Sequence, residues 1–464
     1  MKVDPILLPI AAVQPDFTSS LSEVRDGLVP EETFWLSCYK HEEPSIHGKV
    51  HATLDDVDRD LVRLEGRDGV EMISRRGDTY FASCPSLHLP PTRLAIPAKV
   101  YVDPAAEQGR RPRKITAFDV SPDGTQFATG YYDGSVCIRQ TSGFAEPTTC
   151  KPHLSTVSSV QFFPSSKVLL TAGSDFSLSI LPADKPDASS IPRPSFSPVR
   201  VLRGHSRGVT SIAIIARGRN VLSGSKDGTV RLWDVPSGAQ IRTLVAGGHS
   251  YVPVLALSLG KGVLGSQQDG TDEKGRAPDD IDPREVETAD KLAFCGLQDG
   301  TFEVFDLRTK HSVFRSTADT ETQSPLHAIS YTSVHGMLAT GSSTGIVSLY
   351  DIRTLESPLT AFRRNTAAIE DLQFLSLDAK AFALPQAVSQ SGATSNMPEA
   401  SDVGLAIAAE DGLPYVADVR PGGPNVRAEL VGPDCDPVRA VRVVREEDVW
   451  VAADDGVVRR YRMR

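Results

Sequence analysis

The sequence predicts an all-β fold, a seven-bladed WD-repeat β-propeller preceded by a small N-terminal β-rich segment. Three observations lead to this prediction. A unit of apolar strands recurs along the chain, and each copy has a tight turn between its second and third strands. These turns are mostly separated by one WD unit of roughly 40 to 45 residues. The 36 glycines and 33 prolines among 464 residues supply the turn residues that many short strands need.

The clearest copy of the unit occupies residues 204–235. Its strands lie in GHSRGVTSIAII, RNVLSGS and TVRLWD, and Lys226-Asp227-Gly228 forms the turn between the second and third strands. Gly228 suits a tight hairpin that requires a positive φ. The alternation of Val, Ile and Leu with polar residues is typical of half-buried antiparallel strands. The local signals in this copy therefore all agree with one blade.

Seven copies share this order of strands and turns. Because a single blade cannot bury both of its faces, a closed ring is the stable arrangement, and it leaves only short edges. We therefore assign residues 96–464 to the propeller and residues 1–95 to an accessory β segment. The last copy lacks an outermost strand, and we expect residues 98–102 (AKVYV) to supply it. The seven turns are centred on Asp133, Asp175, Asp227, Asp299, Thr344, Asp411 and Asp455.

Insertions and linkers interrupt this pattern. Three insertions lie near residues 183–198, 268–290 and 377–402, and their Pro/Ser-rich, acidic and low-complexity compositions predict loosely ordered loops. The N-terminal segment shows a few strand-like stretches joined by polar turns. Residues 90–97 (PPTRLAIP) and the following EQGRRPRK have the composition of linkers.

Charge and cysteine content limit the classes of partner and site. The net charge is −10 and no long run of Lys or Arg is present, so nucleic acid is not an expected partner. An acidic surface suits a basic protein partner, although acidity also serves solubility alone. The six cysteines have no short paired spacing. We expect reduced, mostly buried thiols rather than a metal or redox site.

The sequence contains no motif for membrane insertion or catalysis. The first apolar run, MKVDPILLPIAAV, is interrupted by Asp4, Pro5 and Pro9, and no other stretch approaches the roughly 20 apolar residues of a membrane span. We expect a protein of the cytoplasm and nucleus that is monomeric when free. Gly-rich phosphate loops, nucleophile elbows and zinc-protease boxes are not found. We therefore expect no enzyme activity, no bound metal and no cofactor.

His205, Ser223, Asp227 and Trp233 occupy the positions at which WD repeats place a hydrogen-bonded tetrad. These residue types also suggest a hydrolase triad, but the repeat itself explains their spacing, and a buried network of this kind stiffens a blade. Only the third copy has the whole set. The histidines that precede other copies are interpreted as structural or solvated: His153, His249 and His327.

Acidic residues cluster in the sixth and seventh copies. On a propeller, the residue before each turn Asp and the first residues of each innermost strand tend to line the narrow face that partners use. Such a patch would match a basic partner surface, and a merely solvated rim is the alternative. The candidates for this acidic face are Glu370, Asp371, Glu410, Asp434, Asp436 and Asp454.

An Asp-x-Arg box ends three successive copies, with arginines at Arg308, Arg353 and Arg420. Such boxes resemble those of substrate receptors that dock on the adaptor of a cullin-RING ubiquitin ligase. They are also frequent at strand ends in WD repeats. A substrate receptor of such a ligase is therefore the alternative function.

Three segments together resemble the proteasomal ATPase-associated factor family. They are RGRNVLSGSKDGTVRLWD in the third copy, GPDCDPVRAVRV followed by DDGVVRRYRM in the seventh, and WLSC at residues 35–38. The third-copy segment is generic to WD repeats, whereas Asp-Cys-Asp-Pro-Val and Arg-Arg-Tyr are more specific. The resemblance implies a propeller with a distinct N-terminal segment.

The resemblance also implies a function. The expected activity is that of a non-catalytic assembly chaperone, which binds the C-terminal domain of a proteasomal AAA ATPase subunit during assembly of the regulatory particle base. No contact residue of that family is carried over to this sequence. The acidic candidates come from their expected place on the propeller face.

Overall fold

The computed structural model describes residues 4–55, 61–75, 79–143, 146–183, 197–262, 282–317, 324–377, 403–419, 424–445 and 448–463. The central parts of the three predicted insertions lie outside these ranges, so their predicted loose order is not tested. No helix within the described ranges is long and apolar enough to cross a membrane.

The N-terminal segment folds as two packed antiparallel sheets with one helix. One sheet has the strand order β2-β3-β4-β5, and β6, β7 and β8 form the second layer. A short 3-10 turn covers Pro85–Leu87. The elements are β1 (Ile6–Leu7), β2 (Ile10–Val13), α1 (Phe17–Arg25), β3 (Glu31–Tyr39), β4 (Ile46–Leu54), β5 (Val62–Arg67), β6 (Glu71–Arg75), β7 (Thr79–Cys84) and β8 (Leu89–Ala95).

Helix α1 was not among the elements predicted for this segment. Phe17, Leu21 and Val24 are buried and recur at helical spacing, so one face of the helix enters the core between the two layers. The Phe17 ring lies 5.5 Å from that of Phe34 and 5.3 Å from that of Tyr80. The helix therefore joins the strands into one small domain core.

The prediction that residues 90–97 form a linker is wrong. Strand β8 pairs with β7 and buries Thr92 and Leu94. Pro90 and Pro91 lie where the β7–β8 register shifts, and proline is tolerated at such an irregularity because it has no N–H to donate. The two prolines made this segment resemble a linker in composition, although it forms a strand of the sheet.

A connecting stretch leads from the N-terminal segment to the first blade. It contains β9 (Lys99–Val102) and α2 (Pro104–Glu107). Seven further groups of strands follow in the described residues, each arranged as an antiparallel sheet. Blade 1 contains β10 (Ile115–Val120), β11 (Gln126–Tyr131), β12 (Val136–Gln140) and β13 (Thr148–Cys150); blade 2 contains β14 (Val157–Phe162), β15 (Val168–Gly173), β16 (Ser177–Pro182) and β17 (Arg200–Arg203).

The next blades follow the same order, from the innermost to the outermost strand. A 3-10 turn at Gly248–Ser250 lies between blades 3 and 4. Blade 3 contains β18 (Val209–Ile215), β19 (Asn220–Ser225), β20 (Thr229–Asp234) and β21 (Gln240–Val245); blade 4 contains β22 (Val254–Lys261), β23 (Lys291–Leu297), β24 (Phe302–Asp306) and β25 (His311–Arg315). Blade 5 contains β26 (Leu326–Thr332), β27 (Met337–Ser342), β28 (Val347–Asp351) and β29 (Thr360–Arg363).

The last two blades complete the ring. Innermost strands contact their neighbours in sequence order, and β34 contacts β10. The described residues thus form a closed seven-bladed propeller, which confirms the predicted fold. Blade 6 contains β30 (Ile369–Ser376), β31 (Val403–Ala409), β32 (Tyr415–Asp418) and β33 (Val426–Leu430); blade 7 contains β34 (Val438–Val444), β35 (Asp448–Ala453) and β36 (Val457–Arg462).

Strand β9 closes the ring as the outermost strand of blade 7. It pairs antiparallel with β36, with Tyr101 opposite Val458, which confirms the predicted closing segment. The Tyr101 ring stacks on Trp450 at a centroid distance of 5.7 Å, and its hydroxyl donates to the Thr141 carbonyl of blade 1. One side chain therefore joins blade 7 to blade 1.

The N-terminal segment docks on the outer edges of two other blades. Strand β1 pairs parallel with β29 of blade 5, and β8 pairs parallel with β33 of blade 6. The second pairing extends the sheet of blade 6 to seven strands. Two edge strands that would otherwise expose unpaired backbone groups are thereby covered.

Candidate protein-interaction face

One face of the propeller carries the turns between the second and third strands of each blade and the loops that lead into the innermost strands. We call it the top face. All seven predicted turn residues lie between second and third strands, such as Asp227 between β19 and β20, which confirms their assignment. The predicted site residues therefore have defined places on or beneath this face.

The four tetrad residues of blade 3 form one chain of hydrogen bonds. The Trp233 indole donates to Ser223 Oγ over 2.9 Å, Ser223 Oγ lies 2.7 Å from His205 Nε2, and His205 Nδ1 lies 2.8 Å from Asp227 Oδ2. Because the Asp227 carboxylate can only accept, His205 Nδ1 donates to it, and the Ser223 hydroxyl, which accepts from the indole, donates to His205 Nε2. All four polar groups are satisfied, so this geometry supports a structural role.

Blade 2 contains a three-membered version that the sequence reading missed. The buried His153 lies 2.9 Å from Thr171 Oγ1 and 3.0 Å from Asp175 Oδ1. Leu181 takes the place that Trp233 has in blade 3, and threonine replaces serine. Burial lowers the pKa of His153, although Asp175 opposes this shift. The spacing from His153 to Asp175, equal to that from His205 to Asp227, was the available signal. His249 and His327 are exposed.

The innermost strands enclose a central channel of about 490 Å³, and arginines at its wall bind three of the acidic candidates. Arg439 on β34 donates to Glu370 over 2.9 Å and holds both oxygens of Asp454 at 3.0 Å. Arg442 contacts Asp371 and also lies 3.1 Å from Asp119 of blade 1. Much of the predicted negative charge at these three positions is therefore neutralised within the protein.

Glu410, Asp434 and Asp436 differ from these three residues because no arginine lies within 4.0 Å of their carboxylates among the described residues. Glu410 and Asp434 are exposed on the top face, and Asp436 is half-buried. Burial together with the nearby carboxylates of Asp455 and Asp454 raises the pKa of Asp436. A carboxylate surrounded by other carboxylates is stabilised when a cation approaches. These three residues thus form the accessible part of the predicted acidic face, and we call them the acidic rim.

Three large apolar side chains, which the sequence reading also missed, lie on the top face of blades 1 and 2. Tyr132, Leu154 and Phe176 are 72%, 91% and 46% exposed. Their turns touch, because a Cβ atom added at Gly134 would lie 2.3 Å from the His153 carbonyl oxygen, and the Leu154 amide donates to Asp175. We call these three residues the apolar patch.

Phe176 has an unusual backbone conformation for its type. In six of the seven described turns between second and third strands, the residue after the central Asp or Thr is a glycine with positive φ, whereas blade 2 has Phe176 at φ +71°. The left-handed conformation costs an L-residue about 1 to 2 kcal/mol. A strained, partly exposed aromatic residue at a position that suits glycine indicates a role outside folding.

The two fully described Asp-x-Arg boxes, which end in Arg308 and Arg353, lie on the opposite face. The backbone amides of Arg308 and Arg353 donate to Asp306 and Asp351 over 2.8 and 2.9 Å, so each aspartate stabilises the turn after the third strand. Hydrogen bonds from Arg353 lower the pKa of Asp351 to about 2. The two guanidinium side chains remain 55% and 83% exposed. Arg420 lies outside the described residues.

Within the described part of the chain, no group of three or more His, Cys, Asp or Glu side chains has an arrangement that could hold a metal ion. All six cysteines are free thiols in the structure. Four of them are buried, which agrees with the predicted burial. Cys150 is half-buried and Cys435 is exposed.

Two family models match separate parts of the chain. The model "WD domain, G-beta repeat" matches residues 108–139, 145–180 and 196–234, which correspond to blades 1 to 3. The model "Nucleolar protein 10-like, N-terminal domain" matches residues 242–386, from the outermost strand of blade 3 into blade 6. The sequence comparisons and the blade geometry thus agree on the repeat.

Curated relatives match only a stretch of repeats. The LEC14B protein of Lithospermum erythrorhizon is 31% identical over 125 residues, which are 26% of this chain and 24% of the relative. Mitochondrial division protein 1 of Kluyveromyces lactis is 32% identical over 134 residues, which are 28% of this chain and 19% of the relative. The matched stretch therefore spans a quarter or less of these relatives. The family matches and the closed ring of blades together show that the chain folds as a WD-repeat β-propeller.

Proposed function

We propose that this protein is a non-catalytic binding platform whose top face holds a basic partner protein. The observation that carries the proposal is the strained, exposed Phe176 within the apolar patch, next to the acidic rim on the ring. Aromatic side chains provide much of the binding energy at protein interfaces, while complementary charge increases the association rate and specificity. The top face offers both.

The two regions are neighbours because blade 7 adjoins blade 1. Innermost strands β34 and β10 contact each other, and Lys114 of the connecting stretch lies 3.6 Å from Asp454. A partner that covers blades 6, 7, 1 and 2 would therefore place basic side chains at Glu410, Asp434 and Asp436 and apolar side chains on Tyr132, Leu154 and Phe176.

For the partner, we propose the C-terminal domain of a proteasomal AAA ATPase subunit, with the protein acting as an assembly chaperone of the regulatory particle base. The resemblance of WLSC, GPDCDPVRAVRV and DDGVVRRYRM supports this identity. The proposed mechanism is steric: the bound subunit is held until base assembly allows the chaperone to leave.

Affinity purification from cells followed by mass spectrometry tests the proposal. The parent protein should recover base ATPase subunits, and repeated absence of every proteasomal ATPase would contradict the partner. Glu410→Lys with Asp436→Lys should lower recovery about tenfold or more, since two like charges then face a basic surface. Asp454 is left intact because Arg439 depends on it.

Two variants separate binding from folding. Glu356→Lys with Glu287→Lys makes the same charge change at exposed positions away from the top face and should leave recovery unchanged. Phe176→Gly relieves the left-handed strain, so its free energy of unfolding should stay within about 1 kcal/mol of the parent, while recovery falls. Full recovery by both top-face variants would exclude this face as the binding site.

A ubiquitin-ligase substrate receptor is the second candidate, favoured by the exposed guanidinium groups of Arg308 and Arg353. The same purification should then recover the ligase adaptor from the parent protein. Arg308→Ala with Arg353→Ala should abolish that recovery and leave ATPase recovery intact, because the two faces are opposite. An adaptor that is absent, or that the double variant retains, would exclude this candidate.

A further inference from the structure

The N-terminal domain has an open sheet face that the proposed function does not use. Strands β2 to β5 pack one face against α1 and β7, burying Phe34, Leu36 and Val50. The residues between them along β3 and β4 point the other way, to solvent. This outer face contains Trp35, from the WLSC segment, which is 41% exposed.

Trp35 stands in one row with two cations. The β3–β4 register places it opposite Lys49, and the β4–β5 register places Lys49 opposite Arg67. Directly opposed residues of antiparallel strands share a face, with Cβ atoms about 5 Å apart. Lys49 and Arg67 are both exposed. The row therefore presents an indole, an ammonium and a guanidinium side by side.

Carboxylates elsewhere on the outer face leave Lys49 and Arg67 largely free to bind a partner. Arg67 lies 3.9 Å from Glu65, but both side chains are more than half exposed, so the pair is weak. Glu31 pairs with His51, since its Oε2 lies 3.2 Å from His51 Nε2. No carboxylate among the described residues lies within 4.0 Å of the Lys49 ammonium. The outer face thus has three cations, Arg63 included, against two carboxylates, in a chain whose net charge is −10.

We propose that this face binds an acidic peptide segment of a partner protein, with an apolar side chain on Trp35 and carboxylates at Lys49 and Arg67. Tryptophan and arginine are enriched at protein interfaces, and an exposed tryptophan beside cations matches a segment that alternates apolar and acidic residues. Single-stranded nucleic acid fits less well, because such sites use successive aromatic platforms and this row has one. The site is independent of the top face.

Fluorescence quenching provides a direct test, since Trp35 is the accessible one of three tryptophans. Trp233 and Trp450 are each 1% exposed, so acrylamide should quench Trp35 selectively, and Trp35→Phe should remove the accessible component. The probe is a capped glutamate-rich peptide of about 12 residues with central leucines, long enough to cross all four strands when extended. Its binding to the full chain should shield Trp35 from acrylamide.

Variants and competing probes decide the outcome. Lys49→Ala with Arg67→Ala should weaken the peptide about tenfold or more, whereas Lys167→Ala with Arg217→Ala, an equal charge change at exposed propeller positions, should not. A lysine-rich peptide of the same design should give no shielding. The proposal is overturned if the glutamate peptide fails to shield Trp35, if both double variants bind equally, or if an oligothymidylate protects Trp35 better. Unchanged hydrogen exchange in α1, which packs beneath these strands, verifies that the N-terminal domain of each variant is folded.

Discussion

Asp103→Ala is expected to lower the free energy of unfolding by about 3 kcal/mol, because it breaks a buried ion pair at the closure of the ring. Asp103 is buried at the end of β9, where its carboxylate accepts from the Arg113 amide and guanidinium, each over 2.7 Å. The guanidinium also lies 3.8 Å from the Tyr131 ring of blade 1. Removing the carboxylate leaves this cation without its partner.

Urea or thermal unfolding measures the effect, and a double-mutant cycle isolates the pair. Combining Asp103→Ala with Arg113→Met should cost clearly less than the sum of the single changes, since the second change then removes an already unpaired charge. Additive effects would contradict the proposed pairing. Glu65→Ala, at the ion pair with Arg67 in which both side chains are exposed, is the control and should stay within about 0.5 kcal/mol of the parent.

Acid titration gives a second check on the same pair. Burial alone would raise the pKa of Asp103, but the hydrogen bonds and charge of Arg113 outweigh it and hold the pKa below 3.8, the ordinary value. A lowered pKa in the folded state contributes stability that is present above the ordinary value and is lost as the pH falls through the folded one. The difference in free energy of unfolding between the parent and Asp103→Ala should therefore become smaller only at pH values below 3.8.

Glu429→Ala is expected to destabilise the protein by about 3 to 5 kcal/mol and to loosen the N-terminal domain from blade 6. Glu429 on β33 and Arg364, which follows β29, form a buried pair, and the Glu429 carboxylate also accepts from the Ala11 amide of β2 over 3.1 Å. Arg364 additionally stacks over the Tyr415 ring at 4.2 Å. The pair thus connects blade 6 to the first strands of the chain.

The two partners should respond unequally. Burial raises the pKa of Glu429 despite the opposing charge of Arg364, so a Glu429 left alone can take up a proton. Arginine cannot be neutralised in this way. Arg364→Met should therefore destabilise less than Glu429→Ala. Hydrogen exchange at Ala11 and in α1 measures whether the N-terminal domain leaves blade 6. This account would be contradicted if both variants lost the same free energy of unfolding, or if hydrogen exchange in Glu429→Ala were unchanged.

Local patterns made the propeller predictable. The signal for each turn lies within a few consecutive residues, as at Asp227-Gly228. The alternation of apolar and polar residues along the strands is likewise visible within one copy. The closing strand was predictable because the seventh copy lacked a fourth strand. Helix α1 was missed because Phe17, Leu21 and Val24 are separated by serines and polar residues in a short segment.

The site was less predictable, because its properties depend on residues that are distant in the chain. The acidic residues were found by position, but nothing near Glu370 indicates that Arg439 and Arg442, on the next blade, bind this group. The apolar patch joins Tyr132, Leu154 and Phe176 from three separate turns and loops. Only the alignment of Phe176 with the turn glycines was visible in the sequence.

The pairing of early strands with late blades has a consequence for synthesis on the ribosome. Strands β8 and β9 pair with β33 and β36, which are made more than 300 residues later. At 5 to 20 residues per second, the early strands wait roughly 17 to 70 seconds for these partners. During that time their edges and the apolar side chains of Ala95 and Tyr101, which pack against the late blades, are open to other chains. The nascent protein thus has a long interval in which it depends on protection from aggregation.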